Sequence, residues 1–134
     1  TIPEAWDNLL AGRPGIARIT RFDPTPFASQ MAGEVKNFDV EAYLNPKEAR
    51  RMDTFIQFGM AAGIQAIRDS GIEVTEANAE RIGVNIGSGI GGLPLIEETH
   101  GVLMESGPRK ISPFFIPGSI INMISGNLSI LYGL

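Results

Sequence analysis

Apolar positions are densest in residues 54–70, which read TFIQFGMAAGIQAIRDS. A helix that is apolar on nearly every side is typical of a buried element. Glycine and alanine recur within the run, so another element can lie close against it. Asp53 precedes the run as a helix cap, and Gly71 follows it as a C-terminal stop. The pattern predicts a buried, closely packed helix from Thr54 to Ser70.

Other helices are predicted from caps and stops as much as from periodicity. Thr1 is the expected cap of a short helix that ends at Gly12. Asn45 can cap a helical turn, because Pro46 fits the first helical position. The predicted helices cover residues 1–12, 45–51, 93–106 and 118–132, and Gly133 is expected to end the last of them.

Strand-like alternation occurs at Arg81 to Ser88, where Ile82, Val84 and Ile86 are separated by glycine and asparagine. A second, short strand is predicted at Met31 to Val35. The segment before it, from residue 13, is rich in turn-forming residues and is predicted to be irregular, as is the proline-rich loop 107–117. The sequence therefore predicts mainly helices, with two strands.

The loop between the predicted strand and the next helix carries a GxGxxG spacing at Gly87, Gly89 and Gly92. Such a loop can cradle a pyrophosphate at a helix N-terminus. The Rossmann pattern also needs an acidic residue about 20 positions later. That region reads Lys110-Ile-Ser-Pro-Phe-Phe-Ile, without an acid. A tight glycine turn that packs against other backbone is the alternative, and the sequence favours it.

Composition excludes several classes of function. Hydrophobic residues make up 43% of the chain and charged residues 19%, which is typical of a soluble globular domain. The absence of cysteine excludes disulfides and thiolate chemistry within these 134 residues. A net charge of −4 argues against nucleic-acid binding. No apolar run reaches the length of a membrane helix, and no signal peptide is visible.

Several long segments closely resemble one enzyme family. They are KEARRMDTFIQFGMAAGIQAIRDSG, GSGIGGLPLIEETH, GPRKISPFFIPGSIINMISGNLSILYGL and the opening WDNLLAGRPGI. They are similar to the N-terminal half of the elongating β-ketoacyl-acyl-carrier-protein synthases, most closely the synthase II group of bacterial fatty-acid synthesis. The resemblance implies an α/β protein that forms part of the N-terminal half of a thiolase-like layered α-β-α-β-α fold. From the same resemblance we expect a cytoplasmic homodimer and no cofactor. It also implies an incomplete domain over residues 1–134, without the family's first strand and catalytic-cysteine strand.

The catalytic residues of the family are not found in this sequence. Members use a cysteine nucleophile and two histidines, and His100, the only histidine here, matches neither. We therefore expect no catalytic residue in this chain, which should be an inactive fragment of a condensing enzyme. His100 is expected to be a surface residue, because no convergent set of metal ligands is apparent.

The resemblance assigns an acyl-pocket role to two apolar side chains. Ile90, flanked by Gly89 and Gly91, corresponds to the residue that gates the family's acyl pocket, although a plain core isoleucine is the alternative. Phe115, between Pro113 and Pro117, corresponds to a residue that reaches across the dimer interface to the partner's pocket. Packing within its own core is the alternative for Phe115.

Basic residues recur where the family docks its acidic carrier protein. Lys47, Arg50 and Arg51 share one face of a helical turn, and Arg109 and Lys110 are adjacent in a loop. Such a patch attracts acidic partners, although most charge clusters are only solvated. The resemblance makes all five positions candidate contacts for acyl carrier protein and its phosphopantetheine arm.

The sequence thus predicts a fragment of a synthase that condenses an acyl thioester with malonyl-acyl-carrier protein. The alternative is a non-catalytic, chain-length-factor-like subunit of a polyketide synthase pair, which shares the fold and the interface. Neither hypothesis involves nucleic acid or a membrane.

Overall fold

The computed structural model describes residues 2–134, so the predicted cap Thr1 lies outside the described residues. The chain forms two compact units, one ending at Phe38 and the other running from Asp39 to Leu134. None of the helices formed by the described residues has the length and apolarity needed to cross a bilayer.

The first unit contains one helix and one hairpin. Helix α1 (Ile2–Leu10) confirms the predicted N-terminal helix, and Gly12 follows it with a left-handed φ of 63°. Strands β1 (Ile16–Arg18) and β2 (Met31–Gly33) pair antiparallel, with Ala17 opposite Ala32. The segment from residue 13 was predicted to be irregular, and this prediction was wrong at β1. A three-residue strand is too short for an alternating pattern to reveal it.

A carboxylate closes this hairpin beyond the end of β2. The Oε1 atom of Glu34 accepts from the Thr20 backbone N–H at 3.0 Å, and its Oε2 accepts from the Thr20 hydroxyl at 2.8 Å. Both bonds lower the pKa of Glu34, and the bond from the Thr20 N–H has the larger effect. Because these bonds favour the ionised form, they support the hairpin above the pKa of Glu34 and are lost as the pH falls through it.

The second unit is mainly helical. Its helices are α2 (Pro46–Ala49), α3 (Thr54–Ser70), α4 (Leu93–Ser106), α5 (Phe115–Ser119) and α6 (Met123–Tyr132), with single 3₁₀ turns at Val40–Ala42, Ala79–Arg81 and Pro108–Lys110. The predicted caps are present. The side chain of Asn45 accepts from the Glu48 N–H, and Gly71 and Gly133 are left-handed with φ of 67° and 70°.

The core of this unit is the contact between α3 and α6. A β-carbon added at Gly59 would lie 2.5 Å from Ile124 Cδ1 and 2.6 Å from its Cγ2, and one added at Gly63 would overlap Leu128. Only 3% of Ile124 and 1% of Leu128 is exposed to solvent. The predicted small-residue surface of α3 is thus confirmed as the surface on which α6 lies.

Helix α3 is buried on one side only, which corrects the prediction of an all-round buried helix. Its buried residues are Ile56, Met60, Ala61 and Ile64. Ala62 and Ala66, on the other side, are exposed. The apolar composition of α3 does not distinguish the side that packs against α6 from the side that faces away.

The predicted strand from Arg81 to Ser88 was wrong. Among the described residues no strand pairs with this segment, and the Ile86 N–H donates instead to the Ser125 hydroxyl at 3.0 Å. The alternation itself is real, because Val84 and Ile86 pack against the core while the residues between them are exposed. Alternation identifies two different faces, whereas a strand also needs a backbone partner.

The single helix predicted over residues 118–132 is two helices, α5 and α6, with Ile120 in an extended conformation between them. The cause is tertiary. The Gly118 carbonyl accepts from the Asp53 N–H at 3.1 Å, and the Ser119 carbonyl accepts from the Gly92 N–H at 2.9 Å. These carbonyls therefore bond to other segments and do not continue the helix.

The close contact of α3 and α6 predicts that even one added methyl group at Gly59 destabilises the protein. Gly59→Ala should lower the free energy of unfolding by about 1 to 3 kcal/mol, because the buried, β-branched Ile124 has little room to move away. Urea denaturation of the protein, followed by circular dichroism, measures the change.

The matched control is Gly101→Ala in α4, where an added β-carbon meets no atom within 4 Å. It should be neutral or stabilise by roughly 0.5 to 1 kcal/mol through helix propensity. Equal effects of the two substitutions would contradict the close α3–α6 contact.

Candidate functional site

Two clefts meet at a single aromatic contact in the second unit. The guanidinium carbon of Arg51 lies 4.1 Å from the ring centre of Phe114, a cation–π arrangement. Both side chains line a cleft of about 390 Å³ and a second of about 470 Å³. Each volume is within the range of small-molecule sites.

The smaller cleft, called here the basic cleft, lies at the N-terminal end of α3. Arg50 and Arg51 contribute its cations, and Glu98 contributes a carboxylate. Its remaining lining residues are Met52, Asp53, Thr54, Pro94, Leu95, Ser112, Phe114 and Phe115. Two guanidinium groups beside aromatic rings can bind an anionic group that carries an apolar portion.

The larger cleft, called here the apolar cleft, lies between α3, α5 and α6. It is lined by Leu44, Glu48, Arg51, Met52, Met60, Phe114, Pro117, Met123, Asn127, Ile130 and Leu131. Methionine side chains adapt readily to different shapes. Arg51 and Glu48 are its charged residues.

Only two of the five predicted docking residues line a cleft. Arg50 and Arg51 line the basic cleft, and Arg50 Nε also donates to the Pro46 carbonyl at 3.1 Å. Lys47 is exposed on α2, and Arg109 and Lys110 are exposed on the 3₁₀ turn after α4. The last three do not line either cleft.

The glycine loop is held at one end by direct backbone packing. A β-carbon at Gly91, where φ is 89°, would lie 2.6 Å from the Ser119 carbonyl oxygen, and one at Gly92 would lie 2.8 Å from Ser119 Cα. An added β-carbon at Gly89 would meet open space. This geometry matches the tight turn packed against backbone. It does not match a phosphate cradle, because the Gly92 N–H already donates to Ser119.

Ile90 lies on the open side of this loop. Its side chain is 72% exposed, so the plain core isoleucine of the alternative reading was wrong. Ile90 does not line the basic cleft or the apolar cleft. Its assignment to an acyl pocket stays a prediction.

Phe115 begins α5, is half-buried and lines the basic cleft. The neighbouring Phe114 is 40% exposed, and Ile116 is 57% exposed. Phe115 is absent from the core cluster, so packing inside its own core does not account for it. Contact with a partner subunit stays a prediction.

Asp53 does more than the helix cap that its position predicts. Its Oδ1 accepts from the Phe55 N–H of α3 at 3.2 Å, and its Oδ2 accepts from the Leu95 N–H of α4 at 2.9 Å. The side chain is only 8% exposed. The bond to Leu95 spans 42 positions, so no local pattern could have revealed it.

Two further polar side chains have no part in the clefts. The Ser125 hydroxyl accepts from the Ile86 N–H and so satisfies a backbone donor. His100 is exposed on α4, as predicted. No three histidine, cysteine, aspartate or glutamate residues of the described chain are grouped closely enough to hold a metal ion.

Curated relatives match the whole of this chain. It is 61% identical over 134 residues to the 3-oxoacyl-[acyl-carrier-protein] synthase 2 of Vibrio cholerae, covering 100% of this chain and 32% of that protein. It is 46% identical over 132 residues to the Staphylococcus aureus protein of the same name, covering 98% of this chain and 33% of that protein. The chain therefore spans about a third of the length of these relatives.

Solved structures share the fold. A β-ketoacyl synthase from Burkholderia phymatum superposes with a TM-score of 0.77 at 24% identity, over 100% of this chain and 33% of that one. A type II polyketide ketosynthase in complex with its acyl-carrier protein superposes with a TM-score of 0.69 at 28% identity, over 75% of this chain and 29% of that one. These neighbours confirm the predicted fold class, part of a thiolase-like α/β fold.

The family model named β-ketoacyl synthase, N-terminal domain, matches residues 1–134. This match covers both compact units, so the family assignment does not depend on either unit alone. The chain belongs to the β-ketoacyl synthase family, and residues 1–134 match the model of the family's N-terminal domain.

Proposed function

We propose that the protein carrying this chain is a fatty-acid elongation enzyme that condenses an acyl thioester with malonyl-acyl-carrier protein. The observation that carries this proposal is the 61% identity, across the whole chain, to the 3-oxoacyl-[acyl-carrier-protein] synthase 2 of Vibrio cholerae. A relative of the same name from Coxiella burnetii, 54% identical over 133 residues, adds support. The proposal places the enzyme in the cytoplasm as a homodimer.

Residues 1–134 supply substrate-binding surfaces and not the reacting groups. They contain no cysteine, and their one histidine is exposed on α4. In the family, a cysteine thiolate accepts the acyl group, and histidine N–H groups stabilise the enolate formed on decarboxylation. We assign the cysteine strand, the histidines and the first strand to the rest of the enzyme.

The basic cleft is the proposed docking site for acyl carrier protein. Arg50 and Arg51 offer two cations, and the Arg51 guanidinium lies over the Phe114 ring. An acidic carrier and its phosphopantetheine phosphate complement the guanidinium groups, and the Phe114 ring complements the less polar arm. Lys47, Arg109 and Lys110 extend the positive surface for the initial encounter.

The acyl pocket is the proposed site of Ile90 and Phe115. Gly89 gives the backbone freedom on one side of Ile90, and Gly91 is fixed on the other. An exposed isoleucine on such a loop can rotate to open or close a tunnel. Phe115, with its exposed apolar neighbours, is proposed to reach the pocket of the partner subunit, because aromatic residues are enriched at the centre of interfaces.

A non-catalytic polyketide chain-length subunit is less well supported. The polyketide ketosynthase is 28% identical over 75% of the chain, whereas the Vibrio synthase is 61% identical over all of it. If the complete protein binds acyl carrier protein but produces no condensation product, this second reading is favoured.

The docking proposal predicts a salt-sensitive loss of affinity. Arg51→Glu in the complete enzyme should weaken binding of acyl carrier protein by roughly five- to tenfold at low ionic strength, because a cation of the basic cleft becomes an anion. Surface plasmon resonance at two salt concentrations measures the effect, which should shrink as salt is added.

The charge-matched control is Arg68→Glu, an exposed position near the other end of α3. It lies about 21 Å along the helix from Thr54. It should change binding little. Equal losses at Arg51 and Arg68 would mean that net charge, and not the basic cleft, governs docking.

The pocket proposal predicts a change in product length. Ile90→Phe should lower kcat/KM for long acyl substrates by about tenfold or more and spare short ones, because the larger side chain obstructs the tunnel. Mass spectrometry of the products and kinetics with acyl thioesters of graded length measure it.

Ile72→Phe makes the same substitution at another exposed isoleucine of this unit and serves as the control. Its length profile should equal that of the unmodified enzyme. An unchanged profile for Ile90→Phe would contradict the pocket role.

A further inference from the structure

One buried carboxylate serves two helix N-termini at once. The two oxygens of Asp53 accept from Phe55 in α3 and from Leu95 in α4, at 3.2 and 2.9 Å. Its own N–H donates to the Gly118 carbonyl at 3.1 Å. The N-terminal ends of both helices carry partial positive charge, so a shared anion stabilises the two together.

This carboxylate also lies against the fixed end of the glycine loop. A β-carbon at Gly92 would lie 3.1 Å from Asp53 Cβ and 3.2 Å from its Cγ. Gly92 in turn donates to Ser119 and directly precedes α4. The position of Gly92 is therefore set between Asp53 on one side and Ser119 on the other.

The glycines at the other end of the loop are not closely packed, although Ile86 before them is bonded to the Ser125 hydroxyl. Additional β-carbons at Gly87 and Gly89 would meet no atom within 4 Å. Ile90 stands between this open end and the fixed pair Gly91 and Gly92. Because Ile90 directly precedes the closely packed pair, the groups that fix Gly91 and Gly92 influence where Ile90 projects.

We propose that Asp53 is a positioning residue that fixes the Gly91–Gly92 end of the loop and thereby sets the place of Ile90 at the acyl pocket. This inference rests on the proposed role of Ile90 in the complete synthase. Asp53 also lines the basic cleft, but both of its carboxylate oxygens already accept from Phe55 and Leu95, and in this scheme it acts on acyl-chain length through the loop.

Two substitutions separate this role from ordinary helix capping. Asp53→Ser keeps a hydroxyl that can cap α3 through Phe55, but one short oxygen cannot also reach Leu95. Asp53→Asn keeps the size of the side chain but replaces one acceptor by an NH₂ donor, so only one of the two helices keeps its bond.

The experiment uses the complete enzyme and two readouts. Hydrogen exchange in peptides covering residues 89–96 should accelerate by about tenfold or more in Asp53→Ser, because a buried bond is lost. The ratio of kcat/KM for long to short acyl thioesters should also shift several-fold in both Asp53 variants. Gly59→Ala, which weakens the α3–α6 contact away from this loop, should leave that ratio unchanged.

Each of the other outcomes would contradict either the positioning role of Asp53 or the pocket role of Ile90. Unchanged exchange at 89–96 would show that Asp53 does not hold the loop. Faster exchange with an unchanged length ratio, while Ile90→Phe still shifts it, would make Asp53 merely structural and leave the pocket role of Ile90 intact. If Ile90→Phe does not shift the ratio, Ile90 has no pocket role, and the positioning role of Asp53 is contradicted as well. The same shift in Gly59→Ala would attribute the effect to general destabilisation.

Discussion

Three segments of the second unit meet at Asp53 with almost no space between their backbones. The Asp53 N–H and carboxylate bond to α5, α3 and α4, and the Gly92 N–H bonds to Ser119 beside them. Additional β-carbons at Gly91, Gly92 and Gly118 would each lie within 2.8 Å of backbone atoms. A buried carboxylate is tolerated here because each oxygen accepts a hydrogen bond and both helix ends are partly positive.

The rest of the unit follows from this junction. It ends α5 by engaging its last carbonyls, so α6 starts afresh at Met123 and can lie along the glycine surface of α3. Both clefts are lined by Arg51 and Phe114, the two residues of the cation–π contact. Junction and clefts share residues, since Asp53 and Leu95 also line the basic cleft. The hydrogen bonds that hold the junction therefore also fix part of the wall of the basic cleft.

Features that depend on neighbouring residues in the sequence, above all the helix ends, were predictable. Asn45, Asp53, Gly71 and Gly133 are at helix ends as predicted, because capping depends on residues a few positions apart. The small-residue surface of α3 also predicted a close neighbour, although not which one. The basic residues were identified as candidates, but only Arg50 and Arg51 line a cleft. Their proximity to Phe115 depends on how α5 packs, over a separation that no local pattern covers.

The sequence by itself determined the family, the caps, the close-packing glycines and the alternation at residues 82–86. These depend on residue types and short spacings. The tertiary structure decided that the alternating segment is not a strand, that the last helix is interrupted at Ile120, and that Ile90 is exposed. The physical reason is common to all three. Each depends on which distant segments do or do not pack at that place, and residue types within a few positions carry no signal of this.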